Sequence, residues 1–410
     1  MPGRPSRQLA PLGVAGFRLL FASTLASSVG TLLAAIALAI DVKQRTNSGA
    51  WVSAVLIVDF LPTIVVGLAL GPLLDRLSRR KLMIVSDLLR AGVFAALPFA
   101  TNAGTIVALA LVAGLATGFF RPAVYAGVPN LVSDELLGDA NALLQTVENA
   151  AWAIGPLLGG VLTAAWGPHA AYWINAVSFL VSAVLVARIP ARLLQSTIAL
   201  TRGHWTDLKD GFAVVFTSRP LLAVLFAWGV ATIGSGAITV SEIFLAQNTL
   251  HAGDWGYGLL YGAIGTGLVV GSLVSSALVE RLGVARAYGA SLALMAIGFG
   301  VGAASANIWM AAVCCVIGGI GDGGAVVCNA LLLQRGTRDE MRGRALTFVM
   351  SLTWATTGIG IVLAGALMGV NDARWVWLAS AATLAVAAVV GFTLAREPAG
   401  RAAPLQAPAN

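Results

Sequence analysis

Charge is what this sequence has least of. Asp, Glu, Lys and Arg make up 10% of its 410 residues, against 58% hydrophobic residues. A water-soluble domain carries about 25% charged residues. A chain this apolar cannot cover a water-facing surface, so lipid is the solvent for most of it. Soluble and nucleic-acid-binding classes drop out, and the net charge of +7 reads as basic residues held on cytoplasmic loops. Cysteine and histidine are also scarce, at three each. Cys314, Cys315 and Cys328 share one apolar run with no paired histidine spacing. That predicts buried free thiols, with neither a disulfide framework nor a metal site. No glycine-rich loop ending in Gly-Lys-Ser/Thr is present to cradle ATP, and no nucleophile–base set points to an enzyme. No cofactor is expected beyond a coupling proton.

Long apolar runs are what the chain does have. They cover approximately 17–41, 51–73, 82–100, 104–128, 140–164, 170–188, 220–246, 255–279, 286–304, 308–333, 345–369 and 375–395. Each is near the 20 or so residues that span a bilayer as a helix. The expected fold is therefore an all-α integral membrane protein of about twelve transmembrane helices. The N-terminal stretch shows no small-residue cleavage site and reads as leading into the first span.

An even number of spans puts both termini on one side. Of the 25 Lys and Arg residues, 20 fall on the side of the N-terminus. Lys43, Arg45 and Arg374 fall opposite, and Arg90 and Arg121 lie inside spans. That bias predicts cytoplasmic termini in a cell (inner, cytoplasmic) membrane. The expected division is a six-helix bundle over 1–188, a cytoplasmic linker over 189–219, a second bundle over 220–396 and a disordered cytoplasmic tail over 397–410. In the linker Trp205, Leu208, Phe212, Val215 and Phe216 recur at helical spacing. They fit either a helix lying on the membrane surface or a plain linker. The halves echo each other: Asp75-Arg76-Leu77-Ser78 closes the second span of the first, and Glu280-Arg281-Leu282-Gly283 closes the second span of the other. Six plus six spans with a repeat point to a two-bundle transporter with its path between the bundles.

Two segments carry motifs. In Gly71–Lys81 a glycine and a proline end a helix, and an acid then precedes four basic residues. Inside anchoring explains the arginines but not Asp75, an acid placed to pair or to sit at a helix N-terminus. The second segment is Ala151–Gly160, where Pro156 removes a helix hydrogen bond and can kink the helix, while Gly155, Gly159 and Gly160 admit a close neighbour. Gly71, Leu73, Asp75, Arg76, Arg79, Arg80 and Lys81 resemble motif A of the major facilitator superfamily. Gly155, Pro156, Gly159 and Gly160 resemble motif C, its antiporter signature, with Ala151 where that pattern has glycine. Phe17-Arg18-Leu19-Leu20, Asp87-Leu88-Leu89-Arg90, Pro122-Ala123, Ala140-Asn141, the stretch 173–179 and Arg342-Gly343-Arg344 resemble the macrolide-efflux and enterobactin-exporter branch of the drug:proton antiporters. Ala110 stands where the motif B arginine would fall, and Arg121 lies further along that span. The resemblance implies the major facilitator fold in two six-helix bundles, usually monomeric. It implies that motif A stabilises the outward-facing state by gripping both bundles, and that motif C goes with export by exchange.

Every ionised side chain at the bilayer centre costs about 2.5–3.5 kcal/mol on insertion scales, so each needs a reason. The proton or substrate candidates are Glu148, Asp322, Asp59, Arg121 and Glu242. Glu148, Gly155 and Gly159 share a helix face; if it meets the other bundle, Glu148 faces the path between them, and the alternative is an ion pair of Glu148 with Arg121. Asp322 sits among five glycines, on a span that the resemblance implies lines the cavity. Asp59 lies near Pro62, and Glu242 is placed towards the outer surface. Trp228, Trp354 and Phe244 are expected to pack or to line an aromatic drug site. The expected function is export of an amphipathic small molecule, a drug or secreted metabolite such as a siderophore, in exchange for protons. One charge crossing 100 mV supplies about 2.3 kcal/mol. The alternatives are an uptake symporter of the same fold and a membrane sensor or enzyme.

Overall fold

A computed structural model describes residues 7–74, 77–194, 219–336, 342–369 and 372–394. Among these residues twelve long helices run back and forth: α1 (Ala15–Thr46), α2 (Gly49–Leu74), α3 (Arg79–Ala96), α4 (Ala103–Gly127), α5 (Asp134–Trp166), α6 (Pro168–Ala187), α7 (Leu221–Thr249), α8 (Gly253–Leu282), α9 (Val284–Ala303), α10 (Ile308–Gly336), α11 (Arg342–Leu367) and α12 (Ala373–Leu394). Ten are long and apolar enough over their described residues to cross a membrane. Each expected apolar run is one helix. The largest difference is α5, which starts six residues before the expected 140. Its first turn carries Asp134 and Glu135, which favour a helix N-terminus but depress hydropathy.

Local chemistry sets the helix ends. Ser78, last residue of the first echo, caps α3 and accepts from the Lys81 amide at 3.5 Å. Gly283, last residue of the second echo, is shared between α8 and α9 with φ 77°, a left-handed backbone that favours glycine. The repeat is thus a repeated helix-to-helix junction. α7 includes two π turns, Val224–Trp228 and Leu245–Thr249.

The basic residues mark one end of the structure. There Arg79 donates to the carbonyls of Ala126, at 2.7 Å, and Leu194, while Arg80 donates to the carbonyl of Ala187. At the far end Lys43 meets Asn248, and Arg374 donates to the carbonyls of Ala303 and Ser305. The expected split of Lys43 and Arg374 from Arg79 therefore holds. Cys314, Cys315 and Cys328 are buried free thiols. The linker residues 205, 208, 212, 215 and 216, and the tail from 397 on, lie outside the described residues.

The first half is fastened by two polar knots. Asp87 and Arg90, one turn apart on α3, are 0% and 2% exposed. They form an ion pair, and Ser182 of α6 donates to the second Asp87 oxygen at 2.7 Å. The guanidinium lies 4.4 Å from the ring centre of Phe120 on α4 and 4.2 Å from that of Phe179 on α6. One buried charge pair with two cation–π contacts thus ties three helices. Nearer the far end, Asp41 of α1 takes Arg45 at 2.6 Å and the Tyr172 hydroxyl at 2.9 Å. The second half is assembled by close backbone approach instead. A Cβ on Gly267 would stand 2.9 Å from Gly319 Cα, and one on Gly298 would stand 2.8 Å from Gly318 Cα. Small residues of this kind let helices pack in lipid, where no hydrophobic force pushes them together.

Removing one partner of the α3 pair strands the other. Asp87→Asn is expected to cost about 3–5 kcal/mol, and Ser182→Ala about 1 kcal/mol. Thermal unfolding of the detergent-purified protein reads both; equal melting of Asp87→Asn and wild type would contradict the structural role.

Candidate functional site

The two halves meet along α5 and α8, and along α2 and α11. α5 runs unbroken through Pro156 and presents two working faces. One packs inside its own half: a Cβ on Gly155 would stand 2.7 Å from Leu32 Cβ, and one on Gly159 3.2 Å from Ile36 Cβ, both on α1. The Gly155–Gly159 face therefore meets α1 of its own half and not the other bundle. Gly160 is the motif residue that faces across. A Cβ there would stand 2.8 Å from Gly258 Cα, and one on Gly258 would stand 2.6 Å from the Pro156 carbonyl oxygen.

Polar contacts close the far end. Lys43 donates to Asn248 at 2.5 Å, and Gln44 donates to Asp254 at 3.1 Å, each joining the halves. Gln247 donates to the same Asp254 at 2.8 Å, and Ser53 of α2 donates to the Ile361 carbonyl of α11 at 2.8 Å. Phe244 is buried beneath Lys43, 5.8 Å from ring centre to Nζ. It belongs to this seal.

Below the seal Trp152 of α5 stacks on Tyr261 of α8 across the interface, 6.0 Å between ring centres at 18°. Towards the arginine-rich end from that stack α5 turns polar and exposed: Gln145, Thr146 and Asn149 are open, and Gln145 donates to Asn149 at 3.1 Å. Such side chains do not face lipid, so they mark a polar cleft. Arg121 of α4 and Glu148 of α5 form an ion pair at 2.6 Å beside it, with Arg121 half-exposed and Glu148 mostly covered. Of the two sequence alternatives for Glu148, the pairing with Arg121 is present.

The remaining acids separate sharply. Glu242 lies seven residues from the far end of α7 and is 1% exposed. Its Oε1 has no hydrogen-bond partner. Asp322 on α10 is half-buried without a described ion or hydrogen-bond partner. The Asp59 side chain lies outside the described residues, as do Asp75 and Arg76; Gly71 belongs to α2 and Lys81 is exposed. Trp228 lies in the first π turn of α7, and Trp354 is half-buried on α11.

Comparison with known proteins identifies this architecture. The family described as "Transmembrane secretion effector" matches residues 6–408. The chain belongs to that family. It is accordingly a multi-pass membrane transporter of the major facilitator superfamily, acting on small molecules across a lipid bilayer. It is 25% identical over 391 residues to the multidrug efflux pump Tap of Mycolicibacterium fortuitum, covering 92% of this chain and 95% of that one. It is 22% identical over 385 residues to macrolide efflux protein A of Streptococcus pyogenes, covering 91% and 94%. In fold it is similar to the nucleoside transporter NupG, with TM-score 0.72 at 15% identity over 94% of this chain and 100% of that one. A bacterial homologue of ferroportin in its inward-facing state gives TM-score 0.72 at 16% identity over 93% and 99%.

Sequence reasoning passed over several residues of this secretion-effector chain. Asp254 was unremarked, yet it gathers the far-end seal; its signal was an acid in the first turn of a span. Trp152 and Tyr261 gave no signal, because their pairing joins two helices more than 100 positions apart in the chain. The motif A residues Arg79 and Arg80 hold carbonyls of their own half.

The Gly160–Gly258 contact tests the seal. Gly258→Leu forces side-chain atoms into the α5 backbone, and overpacking of this kind costs about 1–3 kcal/mol. Far-end closure should weaken about 5- to 150-fold. Disulfide cross-linking between cysteines placed at Ser53 and Gly365 should slow accordingly; unchanged cross-linking would rule out a gating contact there.

Proposed function

We propose that this chain exports an amphipathic small molecule, such as a drug or a secreted metabolite, in exchange for protons by alternating access. The arginine-rich end and both termini lie in the cytoplasm of the cell membrane, and the working unit is a monomer. One observation carries the reading. The interface is sealed at the far end, while the cleft below Trp152 and Tyr261 opens towards the arginine-rich end with polar, solvent-reachable walls. This is the inward-facing arrangement, ready to take cargo from the cytoplasm. The pump names of the relatives and the Gly155–Gly160 motif support outward transport.

The cleft chemistry suits such cargo. The stacked rings offer a flat apolar roof, and Gln145 and Asn149 offer hydrogen bonds. Arg121 and Glu148 offer two opposite charges that a ligand can separate. An ion pair already formed keeps the empty cleft near neutral, so an amphipathic molecule enters without facing a bare charge. Motif A has its role in the opposite state: with the far end open, Gly71, Asp75, Arg76, Arg79, Arg80 and Lys81 grip the second half and hold the cytoplasmic end shut. In the inward-facing state Arg79 and Arg80 rest on their own half. Asp59, Asp322 and Glu242 are the remaining candidates for proton binding.

Inverted vesicles test the direction. Adding a macrolide or a fluorescent amphipathic dye to acid-loaded vesicles should release luminal protons and trap the compound inside. Expression that instead raises the compound inside intact cells would establish uptake. Arg121→Gln and Glu148→Gln should each lower transport about tenfold. Because the pair is solvent-reachable, stability should change by at most about 1 kcal/mol.

A further inference from the structure

α10 uses two of its faces for packing. Gly319 and Gly323 lie against the backbone of α8 at Ile264 and Leu268, while Gly318 and Gly321 lie against Phe299, Ser291 and Met295 of α9. Between these two faces the helix carries Cys315, Asp322 and Asn329. They are seven residues apart, or two turns, so they stand in one column along the helix.

At the far-end limit of the column, buried Cys315 lies within electrostatic reach of Glu242 on α7. The depths agree: Cys315 is seven residues from the start of α10, and Glu242 seven from the end of α7. The column continues through half-buried Asp322 to Asn329, which is 9% exposed, lies beside the buried Tyr288 hydroxyl of α9 and makes no hydrogen bond of ordinary geometry from Nδ2 or Oδ1. A membrane span gains nothing by aligning unpaired polar groups, since apolar side chains would fill the same space at lower cost. Buried polar groups without partners are rare and call for an explanation. The titratable neighbours of Glu242 from the helices packed on it are Tyr257 of α8 and Cys315 of α10. No cation among the described residues pairs with it. Just above Glu242 lies the π turn Leu245–Thr249. It carries Gln247 and Asn248, both engaged in the far-end seal.

We propose that this column is the proton route of the second half, distinct from the Arg121–Glu148 cleft that receives cargo. The proposal rests on the proton-exchange reading above. When the seal opens, a solvent proton adds to the Glu242 carboxylate. After closure the neutral acid passes it through hydrogen-bonded water along Cys315 to the Asp322 carboxylate, and Glu242 is again ionised. Asp322 returns the proton to water at the arginine-rich end, past Asn329. One proton enters and one leaves, and no other group is consumed.

Purified full-length protein in liposomes tests this with erythromycin and ethidium as probes. Accumulation driven by a pH gradient is compared with counterflow, the exchange of labelled for unlabelled probe without a gradient. Glu242→Gln and Asp322→Asn should lose about tenfold or more of gradient-driven accumulation, with counterflow within about twofold of wild type. Asn329→Leu, which removes no charge, should slow accumulation in the same way. It gives the reading even if an amide variant fails to reach the membrane. Arg121→Gln, in the cargo cleft, should impair counterflow and gradient-driven accumulation alike. Full gradient-driven accumulation by Glu242→Gln and Asn329→Leu would overturn the column and leave export intact. Counterflow by the wild type with no response to a pH gradient would overturn proton exchange and the column together.

Discussion

Two glycines carry the closure on which the conformation depends. In lipid no hydrophobic force drives one helix bundle against another, so the halves hold by contact distance and by hydrogen bonds. Gly160 and Gly258 bring the backbones of α5 and α8 within reach of each other, and the Pro156 carbonyl faces the approaching helix. Only at that separation can Lys43 reach Asn248 and Gln44 reach Asp254. Trp152 can then stack on Tyr261. The glycine–proline–glycine order of the fifth span is thus a distance setting between two domains. The side of α5 that holds Gly155 and Gly159 keeps the helix seated on α1 while this happens.

The intramembrane charges fall into groups once their partners are known. Asp41 and Asp87 are held by arginines and hydroxyls on neighbouring helices and serve as fastenings. Arg121 and Glu148 are paired yet open to the cleft, so their bond can exchange with a ligand. Glu242 and Asp322 have no ionic partner among the described residues, and both face the interior of the second half. Partnering and access, not position along the helix, separate structural charges from working ones.

Much of this was legible in the sequence. The twelve spans follow from apolar runs, because lipid demands them whatever the tertiary packing. The junctions were visible as the acid-Arg-Leu-small echo, because helix caps are local. Motif C was legible as a close-packing signal, but its partner was not: which neighbour Gly155 and Gly160 each meet depends on how α5 is rotated, and hydropathy does not encode rotation. The burial of Glu242 was not legible either. It follows from how the second half packs around α7, a fact of tertiary arrangement. Asp254 and the Trp152–Tyr261 stack join residues more than 100 positions apart or in different helices, beyond any local pattern.

The fastening of α3 has a further consequence. Arg90, clamped between Phe120 and Phe179 and paired with Asp87, bolts α3, α4 and α6 into a single frame. The second half has no described counterpart of this bolt. Its α8, α9 and α10 meet instead along strips of glycine with backbone close to backbone. The two halves therefore fail in different ways: loss of one charge loosens the first, whereas one added side chain would part whole helices in the second.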